Sequence, residues 1–187
     1  MIASLFHIKC YNINMDKQSL RKWIRGKRKE IDMEHISSIL ADKLAKSNEY
    51  KSSKNIMIYY PLKNEVNLLS LLNNKTKNFY LPRIKGYELE CCPYKFNDKL
   101  KPSSFHTLEP VCNACGKTEL DMVIVPALAV DKEKYRLGYG GGFYDRFLKD
   151  FTGLKIVCIP QMFVFENVYK EPHDIKMDVI VTELSNP

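Results

Sequence analysis

The chain has 187 residues, of which 45% are hydrophobic and 27% charged, with a formal net charge of +7. This balance excludes collagen-like, mucin-like and wholly disordered chains, and no apolar run reaches the roughly 18–20 residues that span a bilayer. A chain of this length makes one substantial domain that needs no disulfide or metal staple to fold.

Residues 1–14 lack the charged start, apolar core and cleavage site of a signal peptide, and they are too poor in arginine for a transit peptide. They are read as an N-terminal extension ahead of a single domain over 15–187, with a cytoplasmic location expected and organellar import left open. Residues 1–30 carry eight Lys and Arg against Asp16 and Glu30, a surplus of +6. Such a segment either attracts polyanions or is simply a solvated basic face.

The helical pattern starts at Asp16, placed as an N-cap, and runs over 16–29. A second helix is predicted over 33–46, where Ile36, Ile39, Leu40 and Leu44 form one apolar stripe. The period then changes. Residues 55–60 read as a strand ended by Pro61, residues 65–72 as a helix, and residues 78–81 as a strand ended by Pro82. Pro93, Pro102 and Pro110 make 87–118 look irregular. Residues 121–125 form the clearest buried strand, a helix starts at Phe143, and 155–159 and 179–182 are the last strands. Strands apolar on both faces, alternating with helices, predict an α/β domain with a mostly parallel sheet.

Six cysteines stand at 10, 91, 92, 112, 115 and 158. Cys112 and Cys115 have the spacing of half a zinc ribbon, which Cys91 and Cys92 would have to complete. Loop and core thiols are the simpler reading of a chain with no secretory signal.

The informative segment is R-L-G-Y-G-G-G-F-Y-D-R at 136–146. Its glycines allow positive φ and bring backbone N–H groups close to a phosphate, in front of a helix. Arg136 adds positive charge, and Asp145 stands where it could hold Mg²⁺. The loop is neither a Walker A sequence nor a good dinucleotide fingerprint, which argues against an NAD-type oxidoreductase.

This segment resembles the signature of the 5-formyltetrahydrofolate cyclo-ligase (5,10-methenyltetrahydrofolate synthetase) family, and further motifs follow in family order. Lys17-Gln-Ser-Leu-Arg21 is similar to the family's K-x-x-L-R, and 59–65 to its strand and loop ending in a glutamate. Leu81-Pro-Arg83, residues 121–131, Glu171-Pro-His-Asp174 and Thr182-Glu183 match further segments.

The resemblance implies a three-layer α/β/α domain with a Rossmann-like sheet. It also implies ATP- and Mg²⁺-dependent conversion of 5-formyltetrahydrofolate to 5,10-methenyltetrahydrofolate, ADP and phosphate. ATP would be bound by Lys17, Arg21, Arg136, Leu137, Gly138, Tyr139, Gly140, Gly141, Gly142, Phe143 and Tyr144. The folate would meet Tyr60, Glu65, Tyr139, Gly140, Gly141, Gly142 and Phe143, and Mg²⁺ would be held by Asp145 and Asp174. No side-chain nucleophile is required, and a monomer without membrane or nucleic-acid partners is expected.

Duller roles compete. Tyr60 would serve as packed core, Glu65 as a helix N-terminal acid, and Asp145 as a cap. Phe143 stands where the family commonly has Tyr, and residues 88–118 match it poorly. A non-catalytic nucleotide- or RNA-binding relative is the alternative, which the basic first helix would suit.

Overall fold

The computed structural model describes residues 16–103 and 107–184; the expected 1–14 extension and Cys10 lie outside them. Helix α1 (Lys17–Lys27) is capped by Asp16, whose side chain accepts from the Ser19 N–H, and it buries Leu20 and Ile24. It ends two residues short of the prediction, with Arg28 as its C-cap. Helix α2 (Met33–Lys46) matches the predicted span and is capped by Asp32; the short α3 (Asn48–Ser52) follows, capped by Ser47.

The main sheet is built from β1 (Asn55–Met57), β2 (Asn78–Lys85), β3 (Glu88–Tyr94), β6 (Met122–Ile124), β9 (Leu154–Cys158) and β11 (Val179–Val181). Their spatial order is β11-β9-β6-β1-β2-β3, parallel throughout except for antiparallel β3 at one edge. A hairpin of β4 (Leu100–Pro102) and β5 (Leu108–Pro110) forms its own two-stranded sheet and packs against β2, where the Ile84 N–H donates to the Glu109 carboxylate. A three-stranded sheet joins β7 (Ala129–Asp131), β8 (Arg136–Leu137) and β10 (Val164–Phe165). Helix α4 (Phe143–Leu148) follows the glycine loop.

Alternating side chains divide the core in two, as a sheet covered on both faces requires. Ile56, Ile58, Leu81, Ile124 and Ile156 pack with Leu40, Leu44 and Tyr50 of α2 and α3. Met57, Tyr80, Val123 and Val157 pack on the other face with Leu20 and Ile24 of α1 and Phe147 and Leu148 of α4. The three-layer α/β/α arrangement follows directly.

Two expectations fail locally. The helix expected over 65–72 is a turn followed by a 3₁₀ helix, Leu69–Asn73. The Asn67 side chain accepts from the Leu69 N–H, and the Asn67 N–H donates to the Ser37 hydroxyl, so local side chains take amides that a helix would have used. The irregular reading of 87–118 misses β3, β4 and β5. Pro93 is tolerated because β3 is the edge strand, and Pro82 because β2 runs on beyond the last residue that β1 pairs.

Candidate active site

The chain order reverses at β1: β2 is added on one side of it and β6 on the other. Open parallel sheets bind ligands in the crevice at the carboxyl ends of the strands flanking such a point. A cavity of about 270 Å³ opens there, reached by Tyr59 and Tyr60 after β1 and by Pro126 after β6. All fifteen residues singled out from the sequence line it, from Lys17 and Arg21 through Tyr60 and Glu65, the loop 136–144, and Asp145 and Asp174.

The glycine loop is held through its carbonyls. Arg21 Nε donates to the Gly138 carbonyl at 2.9 Å. On the other side, Arg146 Nη2 donates to the Gly141 carbonyl at 3.0 Å, and its Nε donates to the carbonyl of Tyr87 at the β2–β3 turn at 2.8 Å. The Arg146 guanidinium also lies 5.1 Å from the Phe143 ring centre. Both cations therefore engage loop oxygens, the groups that would otherwise repel a phosphate. Gly142, the residue before α4, has φ +65°, and a Cβ there would stand 2.7 Å from Arg146 Nη1.

Two ion pairs line the cavity beside this loop. Arg136, only 5% exposed, pairs with Asp145 Oδ1 at 2.9 Å and donates to the Ile175 carbonyl at 3.2 Å. Lys17 Nζ lies 2.7 Å from Asp174 Oδ2 and 3.2 Å from Glu171 Oε2, and the Glu171 N–H also donates to Asp174. Burial would raise the Asp174 carboxyl, but the bonds from Lys17 and the Glu171 amide outweigh it and lower its pKa.

The opposite wall is more apolar. Glu65 is 7% exposed and accepts the Leu62 N–H at 2.6 Å, closing its own turn. Burial, with the Glu65 charge beside them, holds the Tyr139 and Tyr144 phenols well above the ordinary tyrosine range, and Tyr139 hydrogen-bonds the Glu65 carboxylate. Tyr60 is half-buried, and its carbonyl accepts from the Thr107 hydroxyl at 3.0 Å.

Asp145 and Asp174 suit a hard cation by ligand chemistry, since both are carboxylates lining the cavity with the phosphate-type loop. Each has one oxygen engaged by a cationic side chain, so the pair is already charge-balanced, and a divalent ion fits best when it arrives with an anionic ligand. Among the described residues, the ligand atoms that converge are those of Glu171, His173 and Asp174, all within 4.8 Å of one another.

The site also uses residues that the sequence did not single out. Tyr59 is buried and donates to the Val66 carbonyl at 2.8 Å, and Thr107 enters together with Leu108 and Glu109 of β5, within the stretch read as irregular. Glu171 and His173 flank Asp174; only their adjacency in sequence pointed to them. Cys91, Cys92, Cys112 and Cys115 form no converging set of three or more ligands among the described residues. Cys115 Sγ lies 3.6 Å from Cys91 Sγ, whereas Cys112 Sγ donates to the Pro93 carbonyl at 3.2 Å, and Cys92 follows Cys91 on the alternate face of β3.

Comparison with known proteins identifies the family and the fold. A sequence profile described as the 5-formyltetrahydrofolate cyclo-ligase family matches residues 13–183. The chain is 31% identical over 146 residues to the 5-formyltetrahydrofolate cyclo-ligase of Haemophilus influenzae, covering 71% of this chain and 78% of that one. It is 26% identical over 174 residues to the enzyme of that name from Mycoplasma pneumoniae, covering 90% and 99%. The solution structure of Aquifex aeolicus 5,10-methenyltetrahydrofolate synthetase superimposes with a TM-score of 0.81 at 35% identity, covering 91% of each chain. With its motifs in order, its fold matched over 91% of its length and its site lined by the signature residues, this chain belongs to the 5-formyltetrahydrofolate cyclo-ligase family.

Proposed function

We propose that the protein converts 5-formyltetrahydrofolate to 5,10-methenyltetrahydrofolate with consumption of ATP. The observation that carries this reading is the convergence, in one cavity at the sheet's switch point, of a cation-braced glycine loop with a buried carboxylate and aromatic wall. One end suits a polyphosphate, and the other suits a flat ring bearing N–H donors.

The formyl oxygen attacks the γ-phosphorus of ATP, the bond to the β-bridging oxygen breaks, and ADP leaves. N10 then attacks the activated formyl carbon, the carbon–oxygen bond breaks to release phosphate, and N10 gives up its proton. An amide-type oxygen leaves poorly until phosphorylated, so the ATP requirement follows from the chemistry. Lys17, Arg21 and Arg136 counter the charge on the phosphates, and the loop amides orient the transferred group. Mg²⁺, held by Asp145 and Asp174, would neutralise phosphate charge when bound. Glu65 accepts hydrogen bonds from the pterin edge, while Tyr60 and the ring of Phe143 pack on the folate. The chain itself supplies positioning and electrostatics and forms no covalent bond to either substrate.

The test is the near-ultraviolet absorbance of the methenyl product in a mixture of protein, 5-formyltetrahydrofolate, Mg²⁺ and ATP. A rise that needs all four components and is lost in Asp145→Ala supports the reading. A flat trace from folded protein that still binds ATP overturns it in favour of a non-catalytic nucleotide binder.

A further inference from the structure

Arg28 is the most deeply buried cation among the described residues, 3% exposed, yet no carboxylate pairs with it in any ion pair there. Its donors go to main-chain carbonyls on both sides of the switch point. Nη2 donates to Ala127 at 2.5 Å and to Leu128 at 3.1 Å, just after β6. Nη1 reaches the Asn64 carbonyl at 3.4 Å, in the loop after β1. Its guanidinium carbon lies 5.3 Å from the ring centre of buried Phe163, while Nε is buried without a hydrogen-bond partner. Burying a guanidinium is costly unless a partner offsets its lost hydration, and neutral carbonyls do so only in part.

The adjacent residue shows what the arrangement serves. Asn64 has φ +64°, a left-handed conformation, and it directs the chain into Glu65, a buried carboxylate whose own hydrogen bonds stay within its turn and to Tyr139. The charges of Arg28 and Glu65 both act at the Tyr139 hydroxyl, in opposite directions. Arg28 also caps the helix that carries Lys17 and Arg21, so one rigid element connects the cationic end of the cavity to the turn of Glu65.

We propose that Arg28 is a positioning residue for Glu65: it clamps the Asn64 turn to the strand end after β6 and balances the buried carboxylate's charge. The inference rests on the cyclo-ligase reading only where it names the folate as what Glu65 meets.

The test has two arms. In steady-state kinetics, Arg28→Met should raise KM for 5-formyltetrahydrofolate about tenfold or more while KM for ATP stays within about twofold. Arg28→Lys, which keeps the charge but loses the fork, should fall between wild type and Arg28→Met. Guanidinium ion at millimolar concentration should restore part of the folate affinity to Arg28→Ala. Equal rises in both KM values, or no rise in either, overturn the proposal.

The second arm needs no substrate, so it stands even if the wild-type chain turns over no folate. In a thermal unfolding cycle, the Arg28→Met, Glu65→Gln double variant should melt within about 2 °C of the worse single variant, because each single change strands the other charge. Additive losses overturn the charge-balancing role. Should Arg28→Met not fold, Arg28→Gln, which also removes the charge, is carried through both arms in its place.

Discussion

Lys17 and Asp174 are 157 positions apart in sequence, and their side chains meet at 2.7 Å, pinning the first helix to the C-terminal loop across the mouth of the cavity. Their burial makes this a pair whose rupture strands a charge, unlike the exposed Lys46–Asp42 pair on α2. Asp174 has a lowered carboxyl pKa in the folded chain, so its contribution is present above the unfolded carboxylate range and is lost as pH falls through the folded value. Lys17→Met should therefore destabilise the protein by about 1–3 kcal/mol near neutral pH. The gap to wild type should close as the pH is lowered below about 4. Urea unfolding of both proteins between neutral and acid pH checks this. A gap that does not change with pH would assign the loss to packing.

Gly142 and Gly153 separate the needs of the site from those of the fold. At Gly142 a side chain meets positive φ and would crowd Arg146, the clamp on the Gly141 carbonyl. Gly142→Ala should cost about 1–2 kcal/mol and weaken ATP binding more than it lowers the melting temperature. At Gly153, a Cβ would stand 2.7 Å from the Asp121 carbonyl oxygen, a backbone atom that already accepts the Leu154 N–H. Gly153→Ala should destabilise by about 2–4 kcal/mol, far from the cavity, and leave the ATP affinity of the folded fraction unchanged. Calorimetric unfolding beside ATP titration distinguishes the two outcomes.

What could be read in advance followed from how local each signal is. The α2 stripe is written in consecutive turns, and the glycine loop is contiguous, so both were legible from residue order. The strand β3 was not: Glu88, Glu90 and Pro93 suit an edge whose far side carries no further strand, only the single bridge from Cys91 to Cys115, a fact of topology and not of composition. Glu65 was legible as a site residue, but not what orients it. Asn64, Arg28 and Ala127 come together only once β1 and β6 are neighbours. The chelating reading of the cysteines likewise depended on which faces of β3 Cys91 and Cys92 would occupy.

Tyr59, Tyr139 and Tyr144 should stay protonated in the folded chain after the exposed tyrosines have ionised. Burial is the main cause at all three, with the Glu65 charge adding to it. Raised phenol pKa values mean that the folded state holds protons which the unfolded chain releases above about pH 10. Stability should thus fall as pH rises through that range. Ultraviolet titration of phenolate should show a deficit in native protein that appears on unfolding. Glu65→Gln should shrink the deficit, since it removes one contribution to the shift.

Thiol reactivity should follow burial. Cys112 is exposed, with its Sγ 3.2 Å from the Pro93 carbonyl oxygen, whereas Cys91, Cys92 and Cys158 are buried. Burial pushes the Cys92 thiol up to about 11 and the Cys158 thiol up to about 12, and raises Cys91 further with the help of Cys115. The attacking species is the thiolate, so at neutral pH an aromatic disulfide reagent should label Cys112 first among the cysteines of the described residues, with Cys91, Cys92 and Cys158 reacting only as the protein opens. Peptide mapping after timed quenching gives the order. Because Cys112 also accepts Arg83 Nη1 at its carbonyl, 2.6 Å away, labelling should loosen the Arg83–Glu90 clamp on β2 and β3. The labelled protein should accordingly unfold at lower urea than Cys112→Ser treated in the same way. Labelling of Cys158 at the rate of Cys112 would contradict a sheet covered on both faces, because Cys158 is buried in the core cluster that includes Leu40 and Leu44 of α2.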